Sequence, residues 1–208
     1  LGVISTAQIG WREPDFYEKP FEANFRAIEK EIKKARELAK GGVLGVNIMV
    51  ATQRYEEYVK SAVKAGIDIV ISGAGLPIDL PKYVEGSKTK IAPIVSSLKS
   101  LTVICRMWER KYQTAPDLVV IEGPKAGGHL GFQESVLENI ENIDFDAILC
   151  GVIDSKKPYE EKYTKKIPVA AAGGIFDRQD IDHVLSLGAD AVQIASRFVV
   201  TKECDASD

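Results

Sequence analysis

The feature that most limits how this chain can fold is an alternation. Short β-branched runs recur along it, each followed by a stretch whose apolar residues repeat at helical spacing. That order is expected of parallel strands joined by crossover helices. Strands are expected at 3–5, 43–49, 67–72, 91–95, 118–122, 169–172 and 191–194. Their unbroken apolar character suits strands covered on both faces.

Between them, 22–40 carries Phe25, Ile28, Ile32, Ala35, Leu38 and Ala39 at helical spacing, with Gly41-Gly42 as a stop. Residues 54–65 and 179–187 repeat the pattern and end in Ala65-Gly66-Ile67-Asp68 and Leu187-Gly188-Ala189-Asp190. Near-identical junctions of this kind mark a repeated β/α unit, with glycine permitting the left-handed exit from each helix. The segment 145–166 reads as a helix with a new turn at Pro158, strand being the other reading of 147–153. Residues 12–19 read as a long loop over one face.

Seven strands fall one short of a closed parallel barrel, and one more before Leu1 would complete it. An open, doubly wound sheet would tolerate seven. The expected fold is α/β, a TIM-type (β/α)8 barrel lacking its first strand and C-terminal segment. A single domain is expected over 1–208, as a piece of a longer chain.

The net charge of −3, from 27 basic and 30 acidic residues, leaves no basic stripe for a nucleic acid. No apolar run approaches the roughly 20 residues of a membrane span. Cys105, Cys150 and Cys204 are too far apart in sequence for the usual zinc or redox motifs, so no metal is expected and reduced thiols in the cytoplasm are.

The residues that suggest chemistry stand at the C-terminal ends of the expected strands. Ala172-Gly173-Gly174 closes one and precedes a helix start at 177–180; Gln193-Ile194-Ala195-Ser196 closes the next. Consecutive turns of this sort bind phosphate through exposed backbone N–H groups and a helix N-terminus. Two ordinary tight turns are the competing reading. Glu122-Gly123-Pro124-Lys125-Ala126-Gly127-Gly128-His129 sets an imidazole in a glycine-rich loop, suited to general base work or to donating to developing negative charge. His183, within a helix, is expected to be structural. Asn47 ends a strand with an amide that serves equally as a ring contact or a turn cap. Ser72-Gly73-Ala74-Gly75 is expected to leave open space for a flat ligand.

Taken in order, GVNIM, ISGAG, EGPKAGGHLG, AAGGI and GADAVQIASRF resemble the nitronate monooxygenase family, formerly 2-nitropropane dioxygenases, over nearly the whole chain. Flavin-dependent enoyl-acyl carrier protein reductases are close relatives of that family. The resemblance implies an FMN-binding TIM barrel that oxidises alkyl nitronates with dioxygen to a carbonyl compound and nitrite. It implies FMN contacts at Asn47, Gly123, Gly128, Gly173, Gly174, Gln193, Ile194, Ala195 and Ser196, with His129 catalytic. The substrate it implies is a nitronate, or an enoyl thioester with NAD(P)H on the reductase reading, and a homodimer is compatible with it.

Overall fold

The alternation becomes seven strands and nine α-helices among the described residues, in strict β/α order apart from added short helices. The computed structural model describes residues 1–129 and 131–204. Leu130 of the histidine loop and the last four residues of the expected domain lie outside the described residues. The contacts group into two compact units, Leu1–Pro93 with Met107–Thr114, and Ile94–Arg106 with Ala115–Asp208.

In the first unit, β1 (Gly2–Ser5), β2 (Leu44–Met49), β3 (Ile69–Gly73) and the Lys90–Pro93 part of β4 (Lys90–Val95) pair in parallel and in chain order. Helix α1 (Pro20–Ala39) opens on a proline whose fixed φ suits the first helical turn, and it exits through Lys40 and Gly41 at φ 46° and 90°. Its buried stripe is Ala23, Ala27, Ile28 and Ile32. Leu38, grouped with the apolar residues of this helix in the sequence, is instead 73% exposed. Arg36 turns toward the loops before β2 and β3, where it reaches Asp68 and the carbonyls of Gly42 and Gly66. Two residues on, about 200° around the helix, Leu38 faces the opposite way. Helices α2 (Tyr55–Lys64) and α3 (Leu80–Tyr83) follow, and the end of α4 (Leu98–Tyr112) brings in Trp108, fully buried, whose indole N–H donates to the Pro77 carbonyl at 3.0 Å.

The second unit pairs Ile94–Val95 with β5 (Val119–Glu122), then β6 (Val169–Ala172) and β7 (Ala191–Gln193), again parallel and in chain order. A doubly wound sheet reverses its strand order at a switch point; neither unit does. The ambiguous segment is helical, as α6 (Phe145–Ser155) and α7 (Lys157–Tyr163), with Pro158 in the first turn of the latter. Asp144 caps α6 by accepting from the Ala147 amide at 2.9 Å. Short α5 (Glu134–Leu137) precedes these, and α8 (Arg178–Ser186) and α9 (Ser196–Val199) follow β6 and β7.

The repeated junction read from the sequence is a repeated clamp. In the first unit the Asp68 amide donates to the Leu44 carbonyl at 3.1 Å, while its carboxylate accepts from the Leu44 amide at 2.8 Å. In the second, the Asp190 amide donates to the Val169 carbonyl and its carboxylate accepts from the Val169 amide, both at 2.8 Å. Each aspartate thereby fixes the start of the preceding strand to its own. A cation stands beside each, Arg36 at 2.8 Å and Lys156 at 3.8 Å.

Candidate active site

Register decides what the second unit assembles. Glu122 pairs with Ala172, and Ala172 with Gln193, so β5, β6 and β7 end level. The residues immediately after them, Gly123, Gly173-Gly174 and Ile194-Ala195-Ser196, are therefore neighbours. The Gly123 amide donates to the Ala172 carbonyl at 2.8 Å. Gly173 and Gly174, at φ 85° and 89°, then turn the chain into α8. Arg197 of α9 ties the last two turns together, its guanidinium stacked 5.0 Å from the Phe176 ring and donating to the Phe176 carbonyl at 3.3 Å.

Packing within the protein already bears on these glycines, most strongly at Gly173. A Cβ on Gly173 would meet the Gly123 backbone at 2.8 Å, and one on Gly174 would meet the Lys125 side chain at 3.0 Å. At Gly123 it would meet the Phe145 ring at 3.1 Å. Gly128, at φ 86°, has nothing within 4 Å of an added Cβ, so there only the backbone conformation calls for glycine.

The start of α8 differs from the expectation. Two of its N-terminal donors are already taken: Asp177 accepts from Gln179 and Asp180, while the Asp180 carboxylate accepts from Phe176 and Asp177 just before the helix. Those backbone bonds, with Lys125 and His183 nearby, hold the Asp180 carboxyl below its usual range. Two carboxylates at a helix start disfavour a phosphate there, contrary to the expectation.

His129 is exposed on its loop, as is Gly128. Glu122, at the end of β5, is a half-buried carboxyl whose pKa burial pushes up. A carboxyl so perturbed at a strand's C-terminal end is a functional candidate on physical grounds. It was legible in the sequence only as a carboxylate next to a glycine loop.

A cavity of about 400 Å³ opens in the same unit, lined among others by Lys125, Phe145, Gly173, Gly174, Asp180 and His183. His129, Gly128 and 193–196 are not among its lining residues. His183, expected to be structural, bonds Asp146 at 2.8 Å and so both ties α8 to α6 and forms part of this wall.

Asn47 belongs to the first unit, half-buried in β2. Its backbone carbonyl accepts from the amide and hydroxyl of Thr6. Among the described residues its side-chain amide has no hydrogen-bond partner, which leaves it available to a ligand. One residue on, Ile48 lies on the helix-facing side: its carbonyl accepts from Ser72, whose hydroxyl also bonds Tyr55 of α2 at 2.8 Å. Asn47 therefore lies on the face turned away from α2. At the strand end expected to be open, Ser72-Gly73-Ala74-Gly75, Ser72 and Gly73 are buried and the Ser72 hydroxyl is spent on that chain, while Ala74 is half-buried and Gly75 exposed.

Among the described residues no group of His, Cys, Asp and Glu is placed to hold a metal, and no helix is long and apolar enough to cross a membrane.

Parallel strands that pair in chain order, with the chemically suggestive residues gathered at their C-terminal ends, make this an α/β chain of the TIM-barrel type. A family model described as nitronate monooxygenase matches residues 15–208, and the chain belongs to the nitronate monooxygenase family, a family of flavoprotein oxidoreductases. A probable nitronate monooxygenase of Bacillus subtilis (strain 168) is 30% identical over 139 residues, covering 65% of this chain and 36% of that protein. One from Staphylococcus saprophyticus is 24% identical over 160 residues, covering 76% and 41%. The chain thus spans less than half the length of these curated relatives. Among solved structures, FabK from Thermotoga maritima superposes with a TM-score of 0.68 at 27% identity, covering 88% of this chain and 50% of that one. Nitroalkane oxidase from Streptomyces ansochromogenes gives 0.69 at 21% identity, covering 88% and 57%, a likeness of fold.

Proposed function

We propose that this chain is the FMN-holding part of a cytoplasmic nitronate monooxygenase, acting on a small alkyl nitronate with dioxygen. The observation that carries the reading is the common level of the β5, β6 and β7 ends, which gathers the glycine turns and the root of the His129 loop at one edge. Gly174 with Lys125 and the Ala195-Ser196 turn are the residues suited to a phosphate tail, and the α8 N-terminus is not. When bound, the flavin supplies the redox chemistry. The chain's own part is to hold it and to present a proton carrier: His129 accepts the α-proton of a neutral nitroalkane or donates to a nitronate oxygen. Gly123, Gly128, Gln193 and Ile194 complete the proposed FMN contacts, and Asn47 offers its free amide as a ligand contact in the first unit.

A second reading, an FMN-dependent enoyl-acyl carrier protein reductase using NAD(P)H, is favoured by the likeness to FabK at 27% identity. Flavin absorbance of the pure protein, followed without oxygen on adding nitronate or NADH, tests both. Bleaching by nitronate, with nitrite released once air is admitted, supports the monooxygenase. Rapid bleaching by NADH alone supports the reductase, and a protein that takes up no flavin rejects both.

A further inference from the structure

The loop carrying His129 is fastened on both sides, and the second fastening uses a residue that no motif singled out. On one side 123–126 are seated against the β6 turn: the Gly123 amide bonds the Ala172 carbonyl, and the Ala126 amide bonds the Gly123 carbonyl at 3.2 Å. On the other side Ser96, the residue after β4, donates its hydroxyl to the Gly131 carbonyl at 2.9 Å, two residues beyond His129. The approach is close, since a Cβ on Gly131 would lie 2.3 Å from the Ser96 Oγ and 2.7 Å from its Cβ. Glycine at 131 is thus what lets the loop backbone come down onto that side chain. The nearby serines are engaged elsewhere: the Ser97 and Ser100 hydroxyls lie 3.1 Å apart, and Ser100 donates to the Ser97 carbonyl at the start of α4.

We infer that Ser96 is a positioning residue for His129, holding the imidazole loop from the β4 side as Gly123 and Gly173 hold it from the β6 side. The inference rests on the proposed role of His129. Without the hydroxyl the loop keeps its root but loses its far anchor, and the imidazole samples positions away from the productive one. A misplacement of about 1 Å is enough to cost on the order of a hundredfold in rate.

The test compares Ser96→Ala, His129→Ala and the double variant in the flavin-loaded protein, with amide exchange of the 124–132 segment measured on the flavin-free protein. Expected are a fall in kcat of roughly ten- to a hundredfold for Ser96→Ala with KM and flavin absorbance little changed, no further fall when Ser96→Ala is added to His129→Ala, and faster exchange in 124–132. Parent-like turnover for Ser96→Ala, beside a damaging His129→Ala, overturns this inference and leaves the role of His129 standing. An equal fall in both backgrounds makes Ser96 merely structural and overturns it too. A harmless His129→Ala removes the reading on which it rests. Should Ser96→Ala not fold, Gly131→Ala separates the same contact from the other side and must show the same dependence on His129.

Discussion

A Cβ on Gly173 would stand 2.8 Å from the carbonyl oxygen of Gly123 and 2.9 Å from its nitrogen. The two strand-end turns thus come together backbone to backbone, and the Gly123 turn can lie where it does because Gly173 lacks a side chain. A residue that invites interpretation as a ligand contact is, before any ligand arrives, a packing requirement.

Gly173→Ala is therefore expected to lower stability before flavin enters the question. The left-handed backbone and the overlap with Gly123 together cost about 1–3 kcal/mol. In a protein of this size each kcal/mol is worth about 2–4 °C in Tm. Gly128→Ala is the control, since it has a comparable φ but open space, and should cost only about 1 kcal/mol. Thermal unfolding of the two flavin-free variants checks this, and equal losses would show that the contact with Gly123 carries no weight.

His129→Ala is expected to keep flavin binding while turnover falls by about 10² to 10⁴, the range of a general acid–base group. The loop root is held by Gly123 and Ala126, not by the imidazole, so the fold should not respond. Steady-state kinetics beside the flavin absorbance of the same sample separates the two effects. Unchanged turnover would remove His129 from the reaction.

What could be read from the sequence follows a physical divide. Strands and their order were legible because burial on both faces writes itself as an unbroken apolar run, as at β3 and β6. The Asp68 and Asp190 junctions were visible as repeated letters, though not as clamps, since the bond runs from a carboxylate to a strand start some twenty residues earlier. At the site, the glycine turns were found, but not whether protein or ligand demands them, because that depends on what approaches from another strand. Asp177 and Asp180 looked like an ordinary helix start; only their geometry shows that they bond the amides of Phe176, Asp177, Gln179 and Asp180. His183 was read as structural and does tie α8 to α6, but neither its partner Asp146 nor the Tyr55 that engages Ser72 could be named, because each comes from another helix, which no local pattern announces.

Glu122 should impose a pH dependence of its own. Burial raises its pKa in the folded state above the unfolded value, so the native protein binds its proton more tightly than the unfolded chain does. Its stabilising contribution is complete below the unfolded carboxyl pKa of about 4.3 and is lost as pH rises through the folded value. Glu122→Gln, neutral throughout, should therefore raise Tm at pH 8 relative to the parent, with the gain shrinking toward pH 4. A gain independent of pH would mean that the carboxylate is not strained by burial.

The clamp at Asp68 allows an ion pair and a backbone bond to be separated. Its carboxyl is held below the ordinary value chiefly by Arg36, with the Leu44 amide adding to the effect, so its contribution is present above the unfolded pKa and is lost as pH falls through the lowered folded one. Both partners are substantially exposed, at 36% and 40% of their side chains, so the ion pair itself is worth only about 0–1 kcal/mol and is screened by salt. Asp68→Asn keeps an oxygen for the Leu44 amide and removes only that part; its cost should vanish in about 1 M salt, where the screening length is roughly 3 Å. Asp68→Ala also strips the acceptor from the start of β2 and should cost about 1 kcal/mol more, independent of salt. Denaturant unfolding of the two variants at low and high salt measures both terms, and a salt-insensitive Asp68→Asn would show that Arg36 contributes packing and not charge.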